Sequence, residues 1–281
     1  MCIRDRFMRI GIIGAGNMAK AILTGIVETN KNVEICCSDI SSRQLSQIKT
    51  TKKIKTTNDN KKATEKSTIV FLCVKPNIIK KEAEEIRPFL QKKQVLISVA
   101  AGVSLTALEN FFGHDKKIIR TMPNLPCLIG KGVVATMPNS KCTRQDKTKA
   151  TKLLSSIGEI VPLNRDEDFD YITALSGSGP AFLAEYIAAN LSYAKKKKIN
   201  NKLSQLLVFE TIAGTIEFLK YNNPDINKFI SMVASPGGTT EEGLKSLKKS
   251  NYSKVVTKAL SSAAKRSYQI SKEIEKTRKK K

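Results

Sequence analysis

Gly14, Ala15, Gly16, Asn17, Met18 and Ala19 form a G-x-G-x-x-A turn directly after the apolar run Ile10–Ile13. Glycine at the first position permits a tight turn, glycine at the third lets a pyrophosphate approach the backbone, and a small sixth residue lets the next helix pack closely on the strand. The chemistry implied is dinucleotide binding, with the diphosphate on the N-terminus of that helix. Asp39 stands twenty residues past Ala19, where an acid takes the ribose hydroxyls of NAD and repels a 2'-phosphate. Ser38, Ser41, Ser42 and Arg43 beside it would instead build a phosphate pocket, and Asp39 is also placed to cap a helix. NADPH and NADH are both open on these residues.

Two further segments end apolar strands, Val74-Lys75-Pro76 and Ser98-Val99-Ala100-Ala101-Gly102. Ligands of open α/β sheets bind beyond such carboxyl ends, and small residues there let a flat ring come close. Ser176-Gly177-Ser178-Gly179-Pro180 places glycines and serines at a helix start, where free amides make a carboxylate nest. Ser235-Pro236-Gly237-Gly238-Thr239-Thr240 repeats the pattern, and Thr239 with Glu242 has capping-box spacing. Each loop taken alone is also what an ordinary helix cap looks like. The single histidine, His114, falls in a polar turn ahead of a strand and is expected at the surface. Without a CxxC or Cys/His cluster, no structural metal is expected.

The elements that must hold these residues follow from periodicity. Ile10–Ile13, Val33–Cys37, Ile69–Val74, Val95–Val99, Lys117–Thr121, Gly132–Thr136 and Glu159–Leu163 read as strands. Helical spacing of Met18, Ile22, Leu23, Ile26 and Val27 follows the first, and a polar helix is expected over 41–49. Alternation of this kind predicts an α/β fold, a Rossmann-type doubly wound sheet. After Leu163 only helical segments follow, near 180–198, 202–219, 225–233, 239–249 and 251–276, so an all-α domain is expected. The boundary is set at a dinucleotide-binding domain over 8–163 and a helical substrate and dimerisation domain over 164–281. Ala181–Ala189 is apolar almost all round, which predicts burial on every side, in this domain or against a second subunit. A homodimer is the economical reading.

Composition excludes several classes. Of 281 residues 41% are hydrophobic and 26% charged, enough to bury a sizeable core. The net charge of +24 would suit a polyanion partner, but the lysines are spread along the whole chain, aromatics make up 6% and Trp is absent, so no nucleic acid is expected. No apolar run reaches the ~20 residues of a membrane helix. Six cysteines without a secretory signal fit a reduced, cytoplasmic setting. The segment 1–7 is set aside as a doubtful start, and the basic residues after Lys272 carry no assigned role.

Together, HDKKIIRTMPNLP (His114–Pro126), ALSGSGPA (Ala174–Ala181) and SPGGTTEEGL (Ser235–Leu244), with the glycine turn and the VKP segment, resemble pyrroline-5-carboxylate reductase in collinear order from Arg9 to about Tyr268. The resemblance implies a Rossmann domain, a helical domain that interlocks two subunits, assembly as a homodimer or a ring of dimers, and NAD(P)H-dependent reduction of a cyclic imino carboxylate to L-proline. It implies that Ile13, Gly14, Ala15, Gly16, Asn17, Met18, Ser38, Asn60, Cys73, Val74, Lys75, Pro76, Val99, Ala100 and Ala101 hold cofactor, with Asp39 added from its position. It also implies that Asn124, Ser176, Gly177, Ser178, Gly179, Thr239 and Thr240 surround substrate, with Asp166 nearby. Thr240 would bond the ring nitrogen, while amides near Ser176 and Thr239 clamp the carboxylate. Two rivals are a β-hydroxyacid dehydrogenase, which would need a lysine acid/base in the helical domain, and a dinucleotide-sensing regulator that binds nucleic acid.

Overall fold

The computed structural model describes residues 8–30 and 32–276. Eight strands form one sheet: β1 (Met8–Ile13), β2 (Val33–Ser38), β3 (Ile54–Thr57), β4 (Ile69–Leu72), β5 (Val95–Ser98), β6 (Lys117–Pro123), β7 (Gly132–Pro138) and β8 (Gly158–Pro162). Their order is β3-β2-β1-β4-β5-β6-β7-β8. Every neighbouring pair is parallel except β6 with β7. The doubly wound α/β sheet expected from the alternation is therefore present.

The helices of this part are α1 (Asn17–Thr29), α2 (Ser42–Leu45), α3 (Asn60–Glu65), α4 (Ile79–Ile86), α5 (Leu105–Phe112), α6 (Arg144–Leu154) and α7 (Asp168–Ile172). They cover both faces of the sheet, which is why β4 and β5 are buried at every position. Alternate residues go to opposite sides. Ile10, Ile12, Phe71 and Ile97 join Ile22 and Ile26 of α1 in one cluster, while Val70, Leu72 and Leu96 join Ile79, Ile86, Leu108 and Phe112 in the other. Each such side chain contributes about 1.5–3 kcal/mol when fully buried.

Two elements differ from expectation. The polar helix foreseen over 41–49 is the single turn α2, because local serines offer the backbone other partners. Ser41 Oγ accepts from Gln44 N, and Ser46 Oγ donates to Arg43 O. The edge strand β3 was not foreseen at all. Only Ile54 of its four residues is buried, so a lysine-flanked edge strand shows no hydrophobic alternation to read.

The remaining helices are α8 (Gly179–Lys196), α9 (Asn201–Asn222), α10 (Ile226–Val233), α11 (Thr239–Lys249) and α12 (Tyr252–Lys276). Packing divides the chain into one compact unit that runs to Ser178 and resumes at Ala263, and a second over Gly179–Ser262. The break expected from sequence at 163/164 thus differs from the packing: Asp166–Ser178 and the last turns of α12 go with the sheet. Within the second unit, α8 and α9 cross closely and the Phe218 and Phe229 rings lie 5.5 Å apart. Burial of 181–189 on every side is not met within one chain. Phe182, Leu183 and Tyr186 of α8, and Leu206, Leu207 and Phe209 of α9, are exposed. The segments 1–7 and 277–281 lie outside the described residues, while 272–276 continue α12.

Candidate functional site

β1 ends at Ile13 and the chain turns through Gly14, whose φ of 92° lies in the left-handed region. A Cβ there would stand 2.5 Å from the Cys73 carbonyl oxygen, so no side chain fits between the ends of β1 and β4. Gly14 N donates to Ser38 O at 2.7 Å, and Cys73 N donates to Ile13 O at 2.7 Å, which ties the turn to the ends of two strands. Gly16 occupies the cap position of α1 with no side-chain cap, and a Cβ placed on it meets nothing within 4 Å. The helix therefore presents free amides and the positive end of its dipole to open space. That is a fit for a diphosphate. Ile13 and Ala15 are buried and serve through backbone shape, whereas Asn17 is exposed and Met18 half-buried.

Asp39, next along from the end of β2, does not cap α2. Its two carboxylate oxygens accept from Ala15 N and Ser41 N, both at 2.8 Å, so the acid is bonded to the glycine turn itself. Ser38 and Asn60, expected to hold cofactor, are buried instead. Ser38 Oγ donates to Asn60 Oδ1 at 2.6 Å, and Asn60 Nδ2 donates to Glu82 Oε2 at 2.9 Å. They brace the groove from behind. Glu82 was missed, although a signal existed: it occupies a core position of α4, in register with Ile79, Ala83 and Ile86. Burial pushes its carboxyl above the usual range.

Lys75 is exposed and Pro76 opens a short 3₁₀ turn over Pro76–Ile78; the strand expected over Ile69–Val74 ends two residues earlier, at Leu72. Val74 and Val99 are half-buried, Ala100 is buried and Ala101 is half-buried. The backbone passes through Gly102 at φ 72°. Burial raises the Cys73 thiol, and Cys37, below Gly14, is pushed up to about 12. Both stay protonated at neutral pH and are poor nucleophiles.

Asn124, at the end of β6, is buried, and its amide is used within the fold. Oδ1 accepts from Val133 N at 2.9 Å, and Nδ2 donates to Ser176 O at 3.1 Å. The segment with Ser176 is not a loop with free amides. Thr173–Gly177 is a π-helical turn joining α7 towards α8, with Ser178 N donating to Thr173 O and Ser176 Oγ to Ile172 O. Such bulges commonly mark functional sites. A Cβ at Gly177 would stand 2.9 Å from the Met122 methyl, so the turn lies close against the end of that side chain. Asp166 is half-buried, lines a cavity together with Arg120, and pairs with it: Arg120 Nη1 donates to Asp166 Oδ1 at 2.6 Å and to its carbonyl at 3.2 Å, and Leu105 N donates to both carboxylate oxygens. Arg120 also lies 3.9 Å over the Phe169 ring.

In the second unit Gly179 opens α8. Gly238, not Thr239, caps α11, and no capping box forms; Gly237 N donates instead to Glu241 Oε2 at 2.8 Å. Thr239 is exposed and Thr240 half-buried on the first turn. Lys195–Lys198, the lysines a dehydrogenase rival would call on, are exposed at the far end of α8. His114 is exposed. Among the described residues no group of three His, Cys, Asp or Glu is placed to hold a metal ion, and no helix is long and apolar enough to cross a membrane.

Comparison with known proteins agrees with this geometry. Residues 166–270 match a family described as pyrroline-5-carboxylate reductase dimerisation, and residues 9–102 one described as NADP oxidoreductase, coenzyme F420-dependent. Pyrroline-5-carboxylate reductase 2 of Bacillus subtilis is 31% identical over 93% of this chain and 95% of its own. The Plasmodium falciparum pyrroline carboxylate reductase structure, with NADP bound, superposes with TM-score 0.85 at 28% identity, covering 94% of this chain and 98% of that one. The pyrroline-5-carboxylate reductase of Coxiella burnetii gives 0.86 at 29%, covering 95% and 99%.

Proposed function

The chain belongs to the pyrroline-5-carboxylate reductase family, and from that premise we propose that it reduces 1-pyrroline-5-carboxylate to L-proline with NADH or NADPH. The single observation that carries the reading is the uncapped start of α1 behind the positive-φ Gly14, at the carboxyl end of the inner strand β1 of a doubly wound sheet. When bound, the nicotinamide supplies the hydride that adds to C5 of the imine.

The chain's own residues bind and orient. The amides at Gly16, Asn17 and Met18 take the diphosphate, and the buried, small Ala100 between Val99 and Ala101 leaves room for a flat ring at the end of β5. Asn124 acts as a positioning residue that fixes the Ser176 carbonyl and with it the π turn through Ser178. Gly179, Thr239 and Thr240 complete the substrate set. The Thr240 hydroxyl bonds the ring nitrogen as it turns from iminium to amine, a contact stronger in the transition state than in the ground state. No histidine is needed, because a protonated imine is already electrophilic.

The exposed apolar faces of α8 and α9 support a homodimer formed through the helical unit, and a ring of such dimers is part of the same reading. The dispersed lysines support the absence of a nucleic-acid partner, and free thiols at all five described cysteines support a cytoplasmic setting. The test is oxidation of NADH and NADPH by purified protein with and without pyrroline-5-carboxylate. Substrate-dependent oxidation is expected with at least one cofactor, and Thr240→Val should lower kcat/KM about 10- to 100-fold. A folded protein that oxidises neither overturns the proposal.

A further inference from the structure

We propose that the adenosine end of the groove selects NADH over NADPH, with Asp39 meeting the ribose 2'-position and Glu82 acting behind it, through Asn60 and Ser38, as a positioning residue. The inference rests on the reductase reading, and goes beyond it by choosing between the two dinucleotides.

The first argument is where the carboxylate of Asp39 is held. Two backbone amides, one in the glycine turn and one at Ser41, fix its oxygens at 2.8 Å, and Asn58 Nδ2 fixes its carbonyl at 2.8 Å. The acid is thereby anchored to the glycine turn through Ala15 N, beside the start of α1. A carboxylate offers about four acceptor positions. Two are used, and the others are free to accept from 2'- and 3'-hydroxyls. A 2'-phosphate would bring close to two negative charges against the same oxygens.

The groups that could favour a 2'-phosphate are less well prepared. Ser38 is buried and its hydroxyl is given to Asn60. The Ser41 oxygen accepts from Gln44 N at the start of α2, which ties that side chain to the helix cap. Arg43 is exposed on that single helical turn, so its long side chain would have to be ordered at a cost in rotamer freedom.

The second argument is the buried chain behind Asp39. Glu82 accepts from Asn60 Nδ2, which turns Asn60 Oδ1 towards Ser38 Oγ. The end of β2, and hence the residue after it, is set by a bond that begins at a carboxylate on α4. Glu82 is 6% exposed, so it touches no ligand and can act only through this chain.

The experiment is titration of the full-length protein with NADH and with NADPH, followed calorimetrically or by the nucleotide's own fluorescence, since the chain has no tryptophan. Wild type is expected to bind NADH at least about tenfold more tightly than NADPH. Asp39→Asn keeps an acceptor for a backbone amide and loses the charge, and should reduce that ratio about tenfold. Glu82→Gln keeps an acceptor for Asn60 and should leave NADH affinity within about twofold, whereas Glu82→Leu, without one, should weaken NADH about three- to fivefold at unchanged kcat. Melting temperatures of all variants establish that each is folded.

A wild-type ratio at or below one, or a ratio that Asp39→Asn leaves unmoved, overturns the inference while the reductase reading stands. Equal NADH affinities for the two folded Glu82 variants overturn the role of Glu82. A folded protein that binds neither dinucleotide overturns both this inference and the reading beneath it.

Discussion

Replacing Gly14 and Gly16 by alanine, one at a time, separates two jobs that one short turn performs. At Gly14 the backbone sits at φ 92°, a region that costs an alanine about 1–2 kcal/mol. The added methyl would also lie 2.5 Å from a backbone carbonyl oxygen that is itself fixed at the end of β4, and forced overpacking of this kind costs about 1–3 kcal/mol. Gly14→Ala should therefore lose about 2–5 kcal/mol of folding stability. Gly16 is different. Its φ of −72° and ψ of −174° suit any residue, and its Cβ would point into empty space. Gly16→Ala should lose no more than about 1 kcal/mol, the capping preference of glycine over alanine, yet weaken dinucleotide binding at least tenfold, about 1.4 kcal/mol, because the methyl enters the space the diphosphate needs. Urea denaturation of both variants, with calorimetric titration of the better cofactor, reads both quantities. Normal binding by Gly16→Ala would refute the placement of the diphosphate, and a loss of stability in Gly16→Ala equal to that in Gly14→Ala would refute the division of roles.

Other consequences are as direct. Arg120→Met removes one partner of a buried ion pair, with Arg120 5% exposed, and should cost about 3–5 kcal/mol in urea unfolding; Arg165→Met, which breaks the exposed pair with Asp168, should cost under about 1 kcal/mol. Glu82 titrates above its ordinary value in the folded state because burial disfavours its charge, so wild type is favoured while this carboxyl keeps its proton. As pH rises through the ordinary glutamate value of 4.5 to the raised folded value, the unfolded chain releases the proton first and wild type loses stability relative to Glu82→Gln. Urea melts of both proteins across that window should show the difference widening with pH, and a constant difference contradicts burial as its cause. Leu206→Asp places a charge on the exposed apolar face of α9 and should shift the molar mass measured by light scattering from dimer towards monomer; an unchanged mass argues against that face as the contact.

Much of this was legible in the sequence because periodicity and turn chemistry are local. The glycine turn, seven of the eight strands and the five C-terminal helices follow from spacing alone. The missing strand, β3, has a single buried side chain and no alternation. What spacing does not show is which distant side chains meet. Asn124 and Asp166 carry the polar groups expected near a substrate, but their partners, Ser176 and Arg120, lie 52 and 46 residues away. Those bonds commit both residues to the fold. The π turn was hidden for another reason: Gly-Ser-Gly-Pro reads as a loop, and only packing against Met122 and the bond from Asn124 hold it helical.

α12 supplies the last pieces of the unit that begins at β1. Ile270 packs against Gly102, Ser104 Oγ donates to Glu275 Oε1 at 3.1 Å, and Ser267 Oγ donates to Asp170 Oδ1 at 2.6 Å. The sheet unit is thus completed by residues 97 and 171 positions further along the chain than their partners. Until those residues have been synthesised, Ser104, Asp170 and the turn at Gly102 are without these native neighbours. A fragment cut after β8 would lack the α12 neighbours of Gly102 and Ser104.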